Sequence, residues 1–141
     1  MLLDLTEEQK MLQQTVREFA NAVVKPLARE IDETGHFPRE TFRKAAELGL
    51  TGIALPDEYG GAGMDHVSYS IAIEEISRCC ASTGVILSVQ NSLYCDPVHR
   101  FGTEEQKDGK TDQCQRPMLR PIPFSRTRSH CQRARCEYLK S

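Results

Sequence analysis

Apolar residues recur every three or four positions from Met11/Leu12 through Val16, Phe19, Val23 and Leu27 to Ile31, the spacing of one face of a long amphipathic helix. Thr6, with Gln9 three residues on, forms a capping box that starts this helix. Pro26 lies inside the pattern and predicts a kink or break just before it, and Gly35 predicts the end. Pro38 opens a second helix at a position where its missing N–H costs nothing; Phe42, Ala45 and Leu48 form its predicted buried stripe and Gly49 stops it. The stretch TGIALPDEYGGAG, residues 51–63, carries a proline and glycines and predicts a loop. Val67, Ile71, Glu74, Glu75 and Arg78 then fit a third helix whose charged residues lie away from its apolar positions.

The next segment, ASTGVILSVQNSLY, is a fourth helix entered at Ser82 or Thr83. Its Val85, Ile86, Val89 and Leu93 would also suit a strand, but polar Ser88, Gln90, Asn91 and Ser92 break strict alternation, and the helix is preferred. Asp96-Pro97 caps a short fifth helix that ends at Gly102, and Thr103 with Gln106 repeats the capping box. No segment alternates long enough to predict a strand. The fold class is all-α, a helical bundle.

Charge divides the chain where the helical pattern stops. Residues 1–107 hold 10 Lys and Arg against 17 Asp and Glu, a net of −7, whereas residues 108–141 hold 8 against 3, a net of +5. The second stretch has few core formers beside its cysteines, too few to offset the entropy of ordering it, so a disordered tail is expected after a 1–107 helical domain. The N-terminus shows neither the basic flank nor the apolar run of a signal peptide. An intracellular protein with six free thiols is the expectation.

Candidate chemistry is sparse. His36, His66, His99 and His130 have no partner at helical or zinc-binding spacing and are expected on the surface or in loops. The GGAG run lacks the Lys-Ser/Thr of a phosphate loop and is expected to be a turn. Adjacent Cys79 and Cys80 point about 100° apart on a helix, and packing accounts for at least one of them. In the tail, His130, Cys131, Cys136 and Cys114 are not spaced as a zinc ribbon or finger. The tail's arginines lack the aromatic interleaving of a nucleic-acid arm.

Five ordered stretches carry a resemblance: LTEEQKML near the start, GHFPRETFRKAAELGL at 35–50, LPDEYGGAG at 55–63, AIEEISRCCASTGVILSVQNSL at 72–93 and FGTEEQK at 101–107. Together they resemble the acyl-CoA dehydrogenases, the short-chain (butyryl-CoA) branch above all, from Leu3 to Lys107. The resemblance implies that family's N-terminal α-helical domain. It also implies FAD as the cofactor, which accepts a hydride from the acyl β-carbon while a carboxylate removes an α-proton, an acyl-CoA thioester as the substrate, and homo-oligomers. The helix bearing GVILSVQNSL would line the cavity for the acyl chain, with Ile86, Val89, Gln90 and Leu93 on one side of it. The same residues would equally suit packing between helices. No residue of the sequence matches the family's catalytic glutamate or its main flavin contacts, which lie in later domains.

After Lys107 the family pattern stops. Codons permitted for the tail, shifted by one base, can encode Ala-Ser-Gly over Cys114, Gln115 and Arg116, Gly and Phe over Arg120 and Ile122, and Glu-Pro-Gly over Arg126, Thr127 and Arg128. This is the start of the family's flavin-binding domain at the family's spacing, which makes the tail an expected out-of-frame extension and the chain an expected inactive fragment. The competing expectation is a small helical interaction module whose basic arm binds nucleic acid or an acidic partner. The family works in bacterial cytoplasm and in the mitochondrial matrix, and no presequence is seen.

Overall fold

The computed structural model describes residues 4–107, and all secondary structure among them is helical. The expectations for residues 108–141 lie outside the described residues. Helix α1 spans Glu7–Phe19 and opens on the predicted capping box, in which Gln9 N–H donates to the Thr6 hydroxyl at 3.2 Å and Thr6 N–H donates to Gln9 Oε1 at 3.1 Å. The predicted break near Pro26 takes the form of a π-helical segment, Ala20–Val24, followed by a 3-10 turn, Lys25–Leu27, before α2 resumes at Ala28–Thr34. The wider turn rotates the buried face, so that Ala20 and Val24 join Val16 and Phe19 inside. Leu27, expected in the stripe, is exposed. Gly35 closes α2 at φ 64°, a left-handed geometry that favours glycine.

Helix α3 spans Arg39–Glu47, with Pro38 just outside its first turn. Phe42 and Ala45 are buried as predicted, but Leu48 is 46% exposed. Leu48 sits where the helix ends, and Gly49 at φ 73° turns the chain so that Leu50 enters the core in its place. The loop that follows is not a loose connector. Ala62 N–H donates to Gly52 O, Gly63 N–H to Leu55 O and Met64 N–H to Ile53 O, each at 2.9 Å, and the knot buries Ile53 and Leu55. The GGAG run is therefore the turn predicted, held by its own backbone.

Helix α4, His66–Ser77, is capped by Asp65, whose side chain accepts from Ser68 N–H at 2.7 Å. Gln9 Nε2 also donates to Asp65 at 3.0 Å, and Arg17 meets Glu75 further along, so α1 and α4 pack side by side and run in the same direction. Glu75 corrects the expectation that the charges of this helix face outwards. It is 3% exposed and takes the Arg17 guanidinium in a two-point contact at 2.7 and 3.0 Å, with Arg78 at 2.9 Å. A buried carboxylate is tolerated because both of its oxygens are paired.

Hydrogen bonding to Arg17 pulls the Glu75 carboxyl below its ordinary range, against the opposing effect of burial. A depressed carboxyl stabilises the fold above its unfolded pKa, near 4.3, and the stabilisation drains away as pH falls through the lower folded value. Glu75→Gln is expected to destabilise the domain by about 1–2 kcal/mol at pH 7, since the Arg17 and Arg78 guanidiniums it leaves behind are 49% and 59% exposed and keep their water, and to flatten the loss of stability below about pH 4. Urea unfolding at pH 7 and at pH 3 measures both. Equal pH dependence in the two proteins would remove Glu75 from the acid sensitivity.

Candidate functional site

Helix α5, Ala81–Val89, returns antiparallel to α4: Tyr69 reaches Ser88, with 2.8 Å between hydroxyls, while Gly84 lies against Ser77. The two helices approach closely because Gly84 has no side chain; a Cβ there would stand 3.2 Å from Ser77 Cα. The helix begins one residue before the predicted Ser82 or Thr83, after Cys80, and Thr83 is buried in its first turn. It then widens into a π-helical segment, Gln90–Cys95, and runs directly into α6, Asp96–Phe101. Asp96 thus corrects the expected cap: its backbone is helical, and its carboxylate instead accepts from Arg100 at 2.7 Å one turn later.

The π segment buries Gln90, Asn91, Tyr94 and Cys95 together. Asn91 spends its whole amide. Its Oδ1 accepts from Ile53 N–H at 2.8 Å, and its Nδ2 donates to Leu50 O at 3.0 Å and Leu87 O at 2.9 Å. Cys95 donates weakly to Thr51 O at 3.5 Å, and Gln90 Nε2 approaches the same sulfur at 3.7 Å. One edge of this helix therefore holds the 50–53 loop through buried polar contacts. The opposite edge is left to solvent.

Of the four residues expected to line an acyl cavity, Val89 (42%) and Leu93 (67%) are exposed together with Val85 (61%), one turn apart on that outer edge. Ile86 is half-buried against the main core, whereas Gln90 is turned inward and only 3% exposed. The structure thus brings Val89 and Leu93 onto one open face and sets Gln90 apart from them.

A cleft of about 100 Å³ lies on the other side, between the 51–63 loop and the α4 and π–α6 helices, lined by residues that include Leu55, His66, Tyr69, Ser92 and His99. Sequence reasoning did not find it. His99 was expected on the surface, yet its ring is half-buried, stands edge-on to Tyr59 at 5.2 Å and holds Nδ1 buried without a hydrogen-bond partner. The signal was weak, since it depended on the loop folding back over α6. The cleft falls well short of the roughly 300–1,000 Å³ of a cofactor pocket. Its residues do not hold a flavin, and no chemical step of the chain runs through one there. Cys79, Cys80 and Cys95 are free thiols; Cys80 packs in the core, and the tail's possible zinc ligands lie outside the described residues. Among the described residues no helix is long and apolar enough to cross a membrane.

Residues 6–110 match the family description "Acyl-CoA dehydrogenase, N-terminal domain". The chain belongs to the acyl-CoA dehydrogenase family. It is 51% identical over 105 residues to the bovine mitochondrial short-chain specific acyl-CoA dehydrogenase, covering 74% of this chain and 26% of that relative. It is 53% identical over 104 residues to the short-chain specific acyl-CoA dehydrogenase of Clostridium acetobutylicum, covering 74% and 27%. Among solved structures, butyryl-CoA dehydrogenase from Megasphaera elsdenii superposes with a TM-score of 0.75 at 30% identity, over 82% of this chain and 31% of that one. A structure described as electron transferring flavoprotein of Acidaminococcus fermentans gives 0.78 at 38% identity, over 83% and 31%. The chain spans about a quarter of the length of the curated relatives it matches. The resemblance seen in the five sequence stretches and the all-α expectation both hold.

Proposed function

We propose that residues 6–107 are the helical domain of a short-chain acyl-CoA dehydrogenase, contributing one wall of the acyl-chain site in an enzyme that desaturates a short acyl-CoA thioester with FAD as the hydride acceptor. The observation that carries this reading is the open face of α5 in a chain of this family: Val89 and Leu93 stand exposed, with Ile86 beside them, on a helix rigidly braced from behind by Asn91. An apolar wall fixed from its far side suits a cavity that another part of an enzyme closes. Gln90, buried beside Cys95, would hold the π segment in shape behind that wall. FAD held by another part of such an enzyme would supply the hydride acceptor, and the residues of this chain would supply shape and exclude water.

The 141-residue polypeptide alone is expected to purify colourless and to show no desaturation of butyryl-CoA with an artificial electron acceptor. Bound flavin with turnover would overturn the view that this segment is only a wall. The wall itself is tested by exchanging residues 6–107 into a short-chain relative. The chimera is expected to retain activity, and Leu93→Ala within it to raise the kcat/KM ratio of hexanoyl-CoA to butyryl-CoA about tenfold by making room. An unchanged ratio would take Leu93 out of the acyl site. The basic stretch 108–141 is proposed to be an out-of-frame extension, and the coding DNA decides this directly: unrelated residues in the next frame would refute it.

A further inference from the structure

We propose that Tyr59 is a positioning residue: it clamps the helical turn at 104–107 to the 51–63 loop, and so fixes the direction in which the chain leaves the acyl-chain wall for the part of an enzyme that would close the cavity. This role rests on the reading of the domain as such a wall. Tyr59 packs on a small core of Leu55, Tyr94 and Cys95, separate from the main one. Tyr94 and Cys95 belong to the π segment that continues the helix bearing Val89, and Leu93 lies in that segment too. The same Tyr59 ring meets two groups further along the chain. His99 stands edge-on to it at 5.2 Å, and the Lys107 ammonium lies 5.9 Å from its centroid. One tyrosine thus links the helix of the wall to the last turn of the domain.

The clamp is needed because of Gly102. Helix α6 ends there, and a Cβ at Gly102 would run into the Val98 carbonyl oxygen, so glycine is required. Glycine leaves the turn that follows free to swing about its own backbone. The turn closes itself, with Thr103 N–H donating to Gln106 Oε1 at 3.0 Å and Gln106 N–H to the Thr103 hydroxyl at 3.3 Å, but this box is internal and does not tie it to α6. Lys107 supplies the tie. It pairs with Glu104 at 2.8 Å, yet its side chain is only 17% exposed, whereas every other lysine or arginine in an ion pair among the described residues is at least 49% exposed. An ammonium drawn in this far is held by more than a surface ion pair, and it lies over the Tyr59 ring. Lys107 chiefly, and the Tyr59 hydroxyl to a smaller degree, hold the Glu104 carboxyl below its ordinary range, so the same three side chains meet through their charges as well.

NMR of the full 141-residue chain reads the clamp directly. The Lys107 ε protons are expected upfield of their free position, shifted by the Tyr59 ring; Tyr59→Ala should return them to it and lower the heteronuclear NOE of the 104–107 amides. Tyr59→Phe keeps the ring and should preserve both signals, while unchanged cross-peaks from α1 and α4 show that the fold survives. In the chimera that carries residues 6–107, Tyr59→Ala should lower kcat/KM about tenfold for butyryl-CoA and hexanoyl-CoA alike, because orientation rather than room is lost, and Tyr59→Phe should restore it. Lys107 signals that Tyr59→Ala leaves in place overturn the clamp. A freed turn in a chimera of undiminished activity overturns the positioning role. A chimera that is inactive with Tyr59 in place, its clamp signals intact, sinks instead the acyl-wall reading, and the positioning role falls with it.

Discussion

Asn91→Leu is expected to destabilise the domain by about 4 kcal/mol. The leucine keeps the branched shape but strips the partners from Ile53 N–H and Leu50 O, which are buried where the 50–53 loop meets the helix. Each buried backbone group left unsatisfied costs about 1–3 kcal/mol. Against a typical domain stability of roughly 5–15 kcal/mol this is a large fraction. Asn91→Asp separates lost hydrogen bonds from lost shape. A neutral carboxyl can accept from Ile53 N–H and donate its proton to Leu50 O, whereas a carboxylate would aim an oxygen at the carbonyls of Leu50 and Leu87. The aspartate's folded pKa is therefore raised above its unfolded value near 3.9, and the folded state binds more protons than the unfolded one between those two values. Asn91→Asp should accordingly lose stability as pH rises from about 4 to 7, the opposite slope to that of Glu75. Urea midpoints across this range measure it. A flat profile would mean that the amide is not what ties the loop to the helix.

The ends of the helices were legible because caps are local. Thr6 and Gln9 lie three residues apart and need no tertiary partner to close their box, and Gly35 and Gly49 take the left-handed turns that their type favours. The family was legible for a related reason, since five stretches in order leave little freedom in what they describe. The two π segments were not legible. An extra residue in a helical turn is stable only if the rotated side chains find partners, and those of Gln90–Cys95 are found 38 to 44 residues away, at Ile53, Leu50 and Thr51. The same shift explains why four residues chosen by α-helical spacing divide, with Val89 and Leu93 facing out and Gln90 in. Glu75 was misplaced because a helical stripe is written in apolar letters, and a carboxylate joins it only when a guanidinium 58 residues distant, on Arg17, arrives to pair with it.

Gly61→Ala is expected to cost about 3 kcal/mol, at the upper end of overpacking penalties. The backbone torsions at Gly61 are not the obstacle, since the residue is not among the glycines with positive φ. Space is the obstacle. A Cβ at Gly61 would lie 2.5 Å from Leu55 Cβ and closer still to the Leu55 carbonyl, which is fixed as the acceptor of Gly63 N–H. Side-chain rotation cannot relieve a clash with backbone, so the loop must open. Opening it strains the bonds from Ala62 to Gly52 and from Met64 to Ile53 and loosens the burial of Leu55. Gly35 provides the contrast: nothing lies within 4 Å of a Cβ there, so Gly35→Ala meets only its left-handed φ of 64° and should cost roughly 1 kcal/mol. Thermal unfolding of the two variants side by side distinguishes crowding from conformational strain. Equal costs would mean that the 51–64 loop gives way easily, and that it does not rigidly brace the helix whose outer face carries Val89 and Leu93.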